Sequence, residues 1–253
     1  MLTMKNGWIA YAAELYRDGY EAYTFLVRSL GLFILSGCLL CCASLRAQVR
    51  VVNDGFPGED TEELDLRIDD ALRAFHPQVV VLFAGANDAL NDKKLLPTEL
   101  TERHLEAMVK SSTATGAQVV MVQVHTPDMV RLMSRHKLEA YGGIGPLERL
   151  ALVNDSIAQI AQREHAGLVR FGDVLNTAGG ANHDLSTDGL HLTPKGYGLL
   201  AQAIRAQLPS DLPANTTILC FGDSLTYGIG VRPPNDAPET PDTYPSQLRA
   251  LLK

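Results

Sequence analysis

The chain has 253 residues, 46% hydrophobic and 20% charged, enough to bury a sizeable core as one large α/β domain. Its formal charge of −7 comes without a basic stripe or an aromatic-interleaved Lys/Arg cluster, which argues against a nucleic-acid partner. Its four cysteines, Cys38, Cys41, Cys42 and Cys220, supply neither a disulfide framework nor metal-ligand spacing, so no metal site is expected.

Residues 1–48 differ from the rest. Trp8, Tyr11, Tyr16, Tyr20 and Tyr23 surround a helix-forming stretch, and residues 29–44 are uncharged throughout. That run is short for a membrane span, which needs roughly 20 apolar residues, and better sized for a signal-peptide core. Leu35-Ser36-Gly37-Cys38 resembles a bacterial lipoprotein processing site, which would make the protein exported or membrane-associated through residues 29–44. Against this, Lys5, Glu14, Arg17, Asp18, Glu21 and Arg28 give the preceding region a long, mixed-charge character. An amphipathic helix followed by an apolar helix packed on the domain, in a cytoplasmic protein, therefore stands as the alternative.

From residue 49 the pattern becomes regular. A strand at 50–53 is followed by a loop, and residues 62–75 place Leu64, Ile68, Ala71, Leu72 and Phe75 at helical spacing. Residues 79–83 are a wholly apolar strand of the parallel-sheet type. A helix over 97–115, stopped by Gly116, leads to a strand at 119–124. After an irregular stretch come a helix over 145–164, a short strand at 168–171, and a helix over 193–208 opened by Pro194. Residues 209–216 form a Pro-rich linker, 217–221 a buried strand, and the end of the chain one short helix. Strands alternating with helices imply a parallel sheet covered on both faces.

Ligand crevices of such sheets lie beyond the carboxyl ends of the strands. Four features fall near that edge: Gly222-Asp223-Ser224-Leu225 after the last strand, Gly58 after the first, Gly85-Ala86-Asn87-Asp88 after the second, and Asp188-Gly189-Leu190-His191 before the 193–208 helix. Each has a plain structural explanation as a turn or a surface residue. Together they bring a hydroxyl, an imidazole, a carboxylate and amide donors to one edge. Asp88 and Asp223 read more simply as braces of their own turns, bonded to nearby backbone N–H groups.

These four motifs resemble those of the SGNH, or GDSL-type, esterase/lipase family, over about residues 49–253. The resemblance implies a flavodoxin-like three-layer α/β/α domain that hydrolyses carboxylic esters or thioesters without metal or organic cofactor. It implies Ser224 as nucleophile, His191 as general base, Asp188 as the carboxylate orienting the imidazole, and an oxyanion hole built from the Ser224 N–H, the Gly58 N–H and the Asn87 amide. The chemistry is coherent, because a serine hydroxyl needs a base to take its proton and donors to hold the developing oxyanion.

The order of these motifs departs from the family, in which the serine motif opens the domain and Asp-x-x-His closes it. Here Asp188 and His191 precede Ser224. A circular permutation is the favoured account, with residues 49–208 as body, 209–216 joining the usual termini, and 217–253 returning to the sheet beside the 50–53 strand. The alternatives are a truncated tandem protein or a domain-swapped homo-oligomer. One copy of each motif favours permutation.

The expected substrate is a small-molecule ester with a short acyl group. Residues 125–146, with Met129, Leu132, Met133, Leu138 and Tyr141, either wall an acyl pocket or form a packed excursion, and the 231–243 loop shapes the rim. An acyltransferase using the same acyl-enzyme, or a non-catalytic membrane-associated binding protein on the same fold, are the other functional readings.

Overall fold

Five parallel strands make one sheet in the computed structural model, which describes residues 48–235 and 237–253. They are β1 (Arg50–Gly55), β2 (Val79–Phe83), β3 (Gln118–Val122), β4 (Gly167–Val169) and β5 (Thr217–Gly222), in the spatial order β1-β5-β2-β3-β4. The last strand in sequence thus lies inside the sheet. It pairs with β1 from Arg50↔Thr217 to Gly55↔Gly222, and with β2 from Val79↔Ile218 to Phe83↔Gly222. Counting β5 first turns the order into 2-1-3-4-5, the doubly wound order of flavodoxin-like sheets. Residues 1–47, with the signal, anchor or packed-helix expectations placed there, lie outside the described residues. Among the described residues no helix is long and apolar enough to cross a membrane.

The central strands are apolar because both their faces are covered. Val79, Val80, Val81, Leu82 and Phe83 are all buried, as are Ile218, Leu219, Cys220 and Phe221. The helices sort into two packed groups, consistent with one on each face. One group contains α1 (Thr61–Phe75), α2 (Ala86–Leu90), α3 (Thr98–Ala114) and α5 (Pro146–Arg163); the other contains α6 (Phe171–Thr177), α7 (Pro194–Arg205) and α9 (Tyr244–Leu251). Their starts are written in the sequence. Asp60 and Glu63 form a reciprocal capping box on α1, while Thr193 and Thr243 cap helices with a proline in the first turn.

One element departs from the sequence reading. Residues 168–171 were expected to form a strand, but β4 ends at Val169 and Phe171 begins α6, where it packs edge-on against His125 in the core. A lone apolar residue after a short strand serves either element, and tertiary packing decided between them. The irregular stretch before α5 also holds a five-residue helix, α4 (Met129–Met133), and a 3-10 turn at Leu138–Tyr141.

The 217–253 segment is fastened well beyond its strand. Asn53 Nδ2 donates to Tyr227 O and Glu239 Oε1, Arg249 Nη2 donates to Val51 O and Glu239 Oε2, and Tyr197 OH donates to Ile229 O. At the end of β5 the strands approach so closely that a Cβ on Gly222 would stand 2.0 Å from Phe83 O. Glycine is required there by space alone. Gly222→Ala is expected to destabilise the fold by roughly 1–3 kcal/mol or more; an unchanged urea midpoint would refute this packing account.

Asp223 follows, fully buried, with Oδ1 accepting the Leu225 N–H at 2.9 Å and Oδ2 without a partner among the described residues. Burial pushes its carboxyl up to about 7. An unfolded aspartate loses its proton near pH 4, so the folded chain holds that proton more tightly. The stability this contributes is complete below about pH 4 and is lost as pH rises through about 7. Relative to Asp223→Asn, which keeps an acceptor for Leu225, the native chain should lose ground across that window in urea titrations. A constant difference between the two would contradict it.

Candidate active site

Ser224 owes its position to the end of β5. Asp223 caps the single-turn helix α8 (Ser224–Tyr227), and Ser224 is its first residue. Ser224 Oγ lies 3.0 Å from His191 Nε2, and His191 Nδ1 lies 2.7 Å from Asp188 Oδ2. Asp188 Oδ1 accepts the backbone N–H groups of Leu190 and His191 at 3.0 and 2.8 Å, so the carboxylate folds its own loop around itself. Burial pushes the Asp188 carboxyl up, but hydrogen bonds from the His191 ring and these backbone groups outweigh it and hold the carboxyl well below the usual range. Because a carboxylate only accepts, the Nδ1 hydrogen of the imidazole faces Asp188. Nε2 is then the lone-pair nitrogen facing the serine hydroxyl.

The donors expected opposite that hydroxyl gather at the same place. Gly58, Asn87, His191 and Ser224 share one cavity of about 290 Å³. Gly58 holds a φ of +86°, a left-handed conformation in which other residues are strained. The Asn87 amide is oriented on both sides: Nδ2 donates to Glu59 O at 2.8 Å, and Oδ1 accepts from Asn91 Nδ2 at 3.0 Å. Asn91 Oδ1 accepts the Lys93 N–H at 3.2 Å, which turns its own amide group towards Asn87. One Asn87 N–H is left over, on a residue that lines the cavity.

Several supporting residues escaped the sequence reading. Arg67 of α1 stacks 4.2 Å from the Phe221 ring and donates to Asp54 Oδ2, Asp54 O, Gly222 O and Glu59 Oε2, bracing the Gly58 loop from both flanks. Asp88, read from the sequence as a brace of its own turn, also reaches across to Thr61 N, Thr61 Oγ1 and Thr101 Oγ1. It thereby ties the Asn87 helix to the start of α1. His125, fully buried, donates from Nε2 to Leu190 O at 2.9 Å beside His191, and burial lowers its pKa to about 4, keeping it neutral. No short-range motif marks Arg67 or His125, and the partners that Asp88 reaches across to lie 27 and 13 positions away.

The 125–146 excursion was expected to wall the cavity with apolar side chains or to pack as an excursion. Leu132 and Tyr141 are buried in the interior and Leu138 is exposed, so none of the three lines the cavity. Arg135 and His136 line it instead, and no described residue of 231–243 does, although Ile229 just before that loop does. Arg135 clamps the Asp188 loop, Nη1 donating to Asp188 O at 2.8 Å and Nη2 lying 2.9 Å from Asp188 Oδ2. Among the described residues, no group of three or more His, Cys, Asp and Glu side chains is placed to hold a metal ion.

Comparison with known proteins places the chain. The model of the GDSL-like Lipase/Acylhydrolase family matches residues 40–199, beginning earlier than the expected residue 49 and ending before the Gly222–Leu225 turn. Among solved structures, the chain is similar to a lipase/acylhydrolase from Enterococcus faecalis, at 24% identity and a TM-score of 0.49, covering 58% of this chain and 69% of that one. It is also similar to the psychrotrophic esterase EstA from Pseudoalteromonas sp., at 23% identity and a TM-score of 0.44, covering 59% and 71%. A third is an acetylxylan esterase from Geobacillus stearothermophilus, at 17% identity and a TM-score of 0.48, covering 59% and 68%. No curated protein matches the chain. With a family model spanning more than half of its length, the chain belongs to the GDSL-like lipase/acylhydrolase family, whose members are ester-cleaving hydrolases.

Proposed function

We propose that the chain is a serine esterase that cleaves short acyl esters through an acyl-enzyme, with Ser224, His191 and Asp188 as its reacting relay. The observation carrying this reading is the unbroken contact from Asp188 Oδ2 through the His191 ring to Ser224 Oγ, at 2.7 and 3.0 Å. As Ser224 Oγ attacks the ester carbon, His191 Nε2 takes the hydroxyl proton. The carbonyl oxygen becomes an oxyanion, held by the N–H groups of Ser224 and Gly58 and the spare Asn87 N–H. Collapse expels the alcohol, which leaves with the proton from His191. Water then repeats the sequence: His191 takes its proton, hydroxide adds to the acyl carbon, and Ser224 leaves with that proton as the acid is released. Asp188 stays ionised throughout and fixes the ring tautomer.

The cavity of about 290 Å³ sits at the foot of the roughly 300–1,000 Å³ range of ligand pockets, which favours a short acyl chain. The same reading takes residues 217–253 as the family's opening segment carried to the end of the chain, a circular permutation of the domain at 49–253. The 2-1-3-4-5 order obtained by counting β5 first supports it, as does a family match that stops at residue 199.

A fluorophosphonate should form one adduct, mapped to Ser224, and Ser224→Ala should abolish both adduct and hydrolysis of p-nitrophenyl butyrate. Folded protein that takes no label would sink the esterase reading. If excess alcohol instead draws most of the acyl group into a new ester, the enzyme is a transferase. Asn87→Ala should lower kcat about 100- to 1,000-fold. Asn91→Asp sets a carboxylate against Asn87 Oδ1 and should turn the amide, lowering kcat in the native chain. It should cost nothing further in the Asn87→Ala background, because it acts through that amide. Additive losses would show that Asn91 does not orient Asn87.

A further inference from the structure

Another histidine held by a carboxylate, His136, lines the cavity that holds Ser224. His136 Nδ1 lies 2.8 Å from Asp92 Oδ1, and Asp92 Oδ2 accepts the Lys137 N–H at 3.0 Å. Both side chains are little exposed, at 16% and 9%. Asp92 comes just after α2, which carries Asn87, and the excursion bearing His136 is pinned again where Tyr141 OH donates to Leu90 O. The ring is therefore fixed relative to Asn87. Facing a carboxylate, Nδ1 of the neutral ring carries the hydrogen, so Nε2 is the acceptor. Nε2 has no partner among the described residues, and His136 lines the cavity together with Ser224 and His191.

Resting on the esterase reading above, we infer that His136, oriented by Asp92, receives a free hydroxyl on the alcohol portion of the substrate. The preferred ester is then one of a polyhydroxylated alcohol, of glycerol or sugar type. The chemistry of the lining singles out a hydroxyl. Its neighbour Arg135 commits Nη1 and Nη2 to Asp188 and keeps further N–H donors, so acceptor and donor stand side by side on adjacent residues. A hydroxyl can give its hydrogen to Nε2 and accept one from the guanidinium. An alkyl group does neither, a carboxylate cannot donate, and an ammonium is repelled by Arg135. The acyl chain has its own apolar surface in Pro57, Ala86, Leu90, Leu190 and Ile229, which leaves the polar lining to the alcohol. A ring that only braced the excursion would need Nδ1 alone.

The test compares glycerol monobutyrate with propyl butyrate, which share the acyl group and differ in the free hydroxyls. The native chain should prefer the hydroxylated ester by about tenfold in kcat/KM. His136→Phe should collapse that ratio towards one, while His136→Gln, which keeps an acceptor, should retain part of it. Titrating both esters into the Ser224→Ala chain by NMR reads the same preference as affinities, without turnover and without altering His136. Equal rates and equal affinities for the two esters would overturn the inference, and so would a ratio unmoved by His136→Phe. An affinity preference in a chain that takes no fluorophosphonate would leave the hydroxyl site standing and sink the esterase reading instead.

Discussion

Everything at this site depends on a parallel strand from the end of the chain occupying the interior of the sheet. β5 is bonded to β1 on one side and to β2 on the other, and its side chains are buried on both faces. Withdrawing it would leave two rows of buried backbone groups without partners and remove the centre of the apolar core. Three of the segments that meet around the cavity leave β1, β5 and β2, which are neighbours only because β5 lies between the other two. This is the place where the strand order reverses, and α/β sheets open their ligand crevice there. The geometry of Ser224 thus follows from the same backbone pairing that closes the fold.

Long-range polar contacts then convert three loose turns into one rigid edge. Arg67 gathers Asp54, Glu59 and Gly222, while Asp88 grips Thr61 and Thr101. On the other side the 128–141 excursion spans the Asp188 loop and the Asn87 helix, through Arg135 at one end and His136 and Tyr141 at the other. Burial raises the Asp88 carboxyl, and the threonine hydroxyls oppose that shift without cancelling it. Buried polar networks of this kind contribute specificity of shape, which a hydroxyl and an imidazole 3.0 Å apart require.

Local patterns in the sequence carried the strand at 79–83, the α1 and α7 starts and the five candidate residues that the structure gathers beside one another, because apolar runs, caps and glycine turns act over a few positions. The destination of the 217–221 strand was legible too, since the motifs on either side of it required a common edge. Phe171 misled because a single apolar residue fits a strand or a helix equally well. The excursion was open to two readings, because its Met, Leu and Tyr residues suit an acyl wall or a packed segment, and Leu132 and Tyr141 serve the interior. Arg135 and His136, which do line the cavity, gain their meaning only from Asp188 and Asp92, some 53 and 44 positions away. Spacing of that size carries no periodic signal.

The most direct test of a site closed within one chain is complementation between two inactive variants. Ser224→Ala and His191→Ala chains, mixed after unfolding and refolding together, each lack one half of the relay. If residues 217–253 return to the sheet of their own chain, as the structure has them, the mixture stays inactive at every concentration. Recovery of esterase activity that rises with protein concentration, alongside a dimeric native mass, would show that the strand is exchanged between chains and would contradict the account.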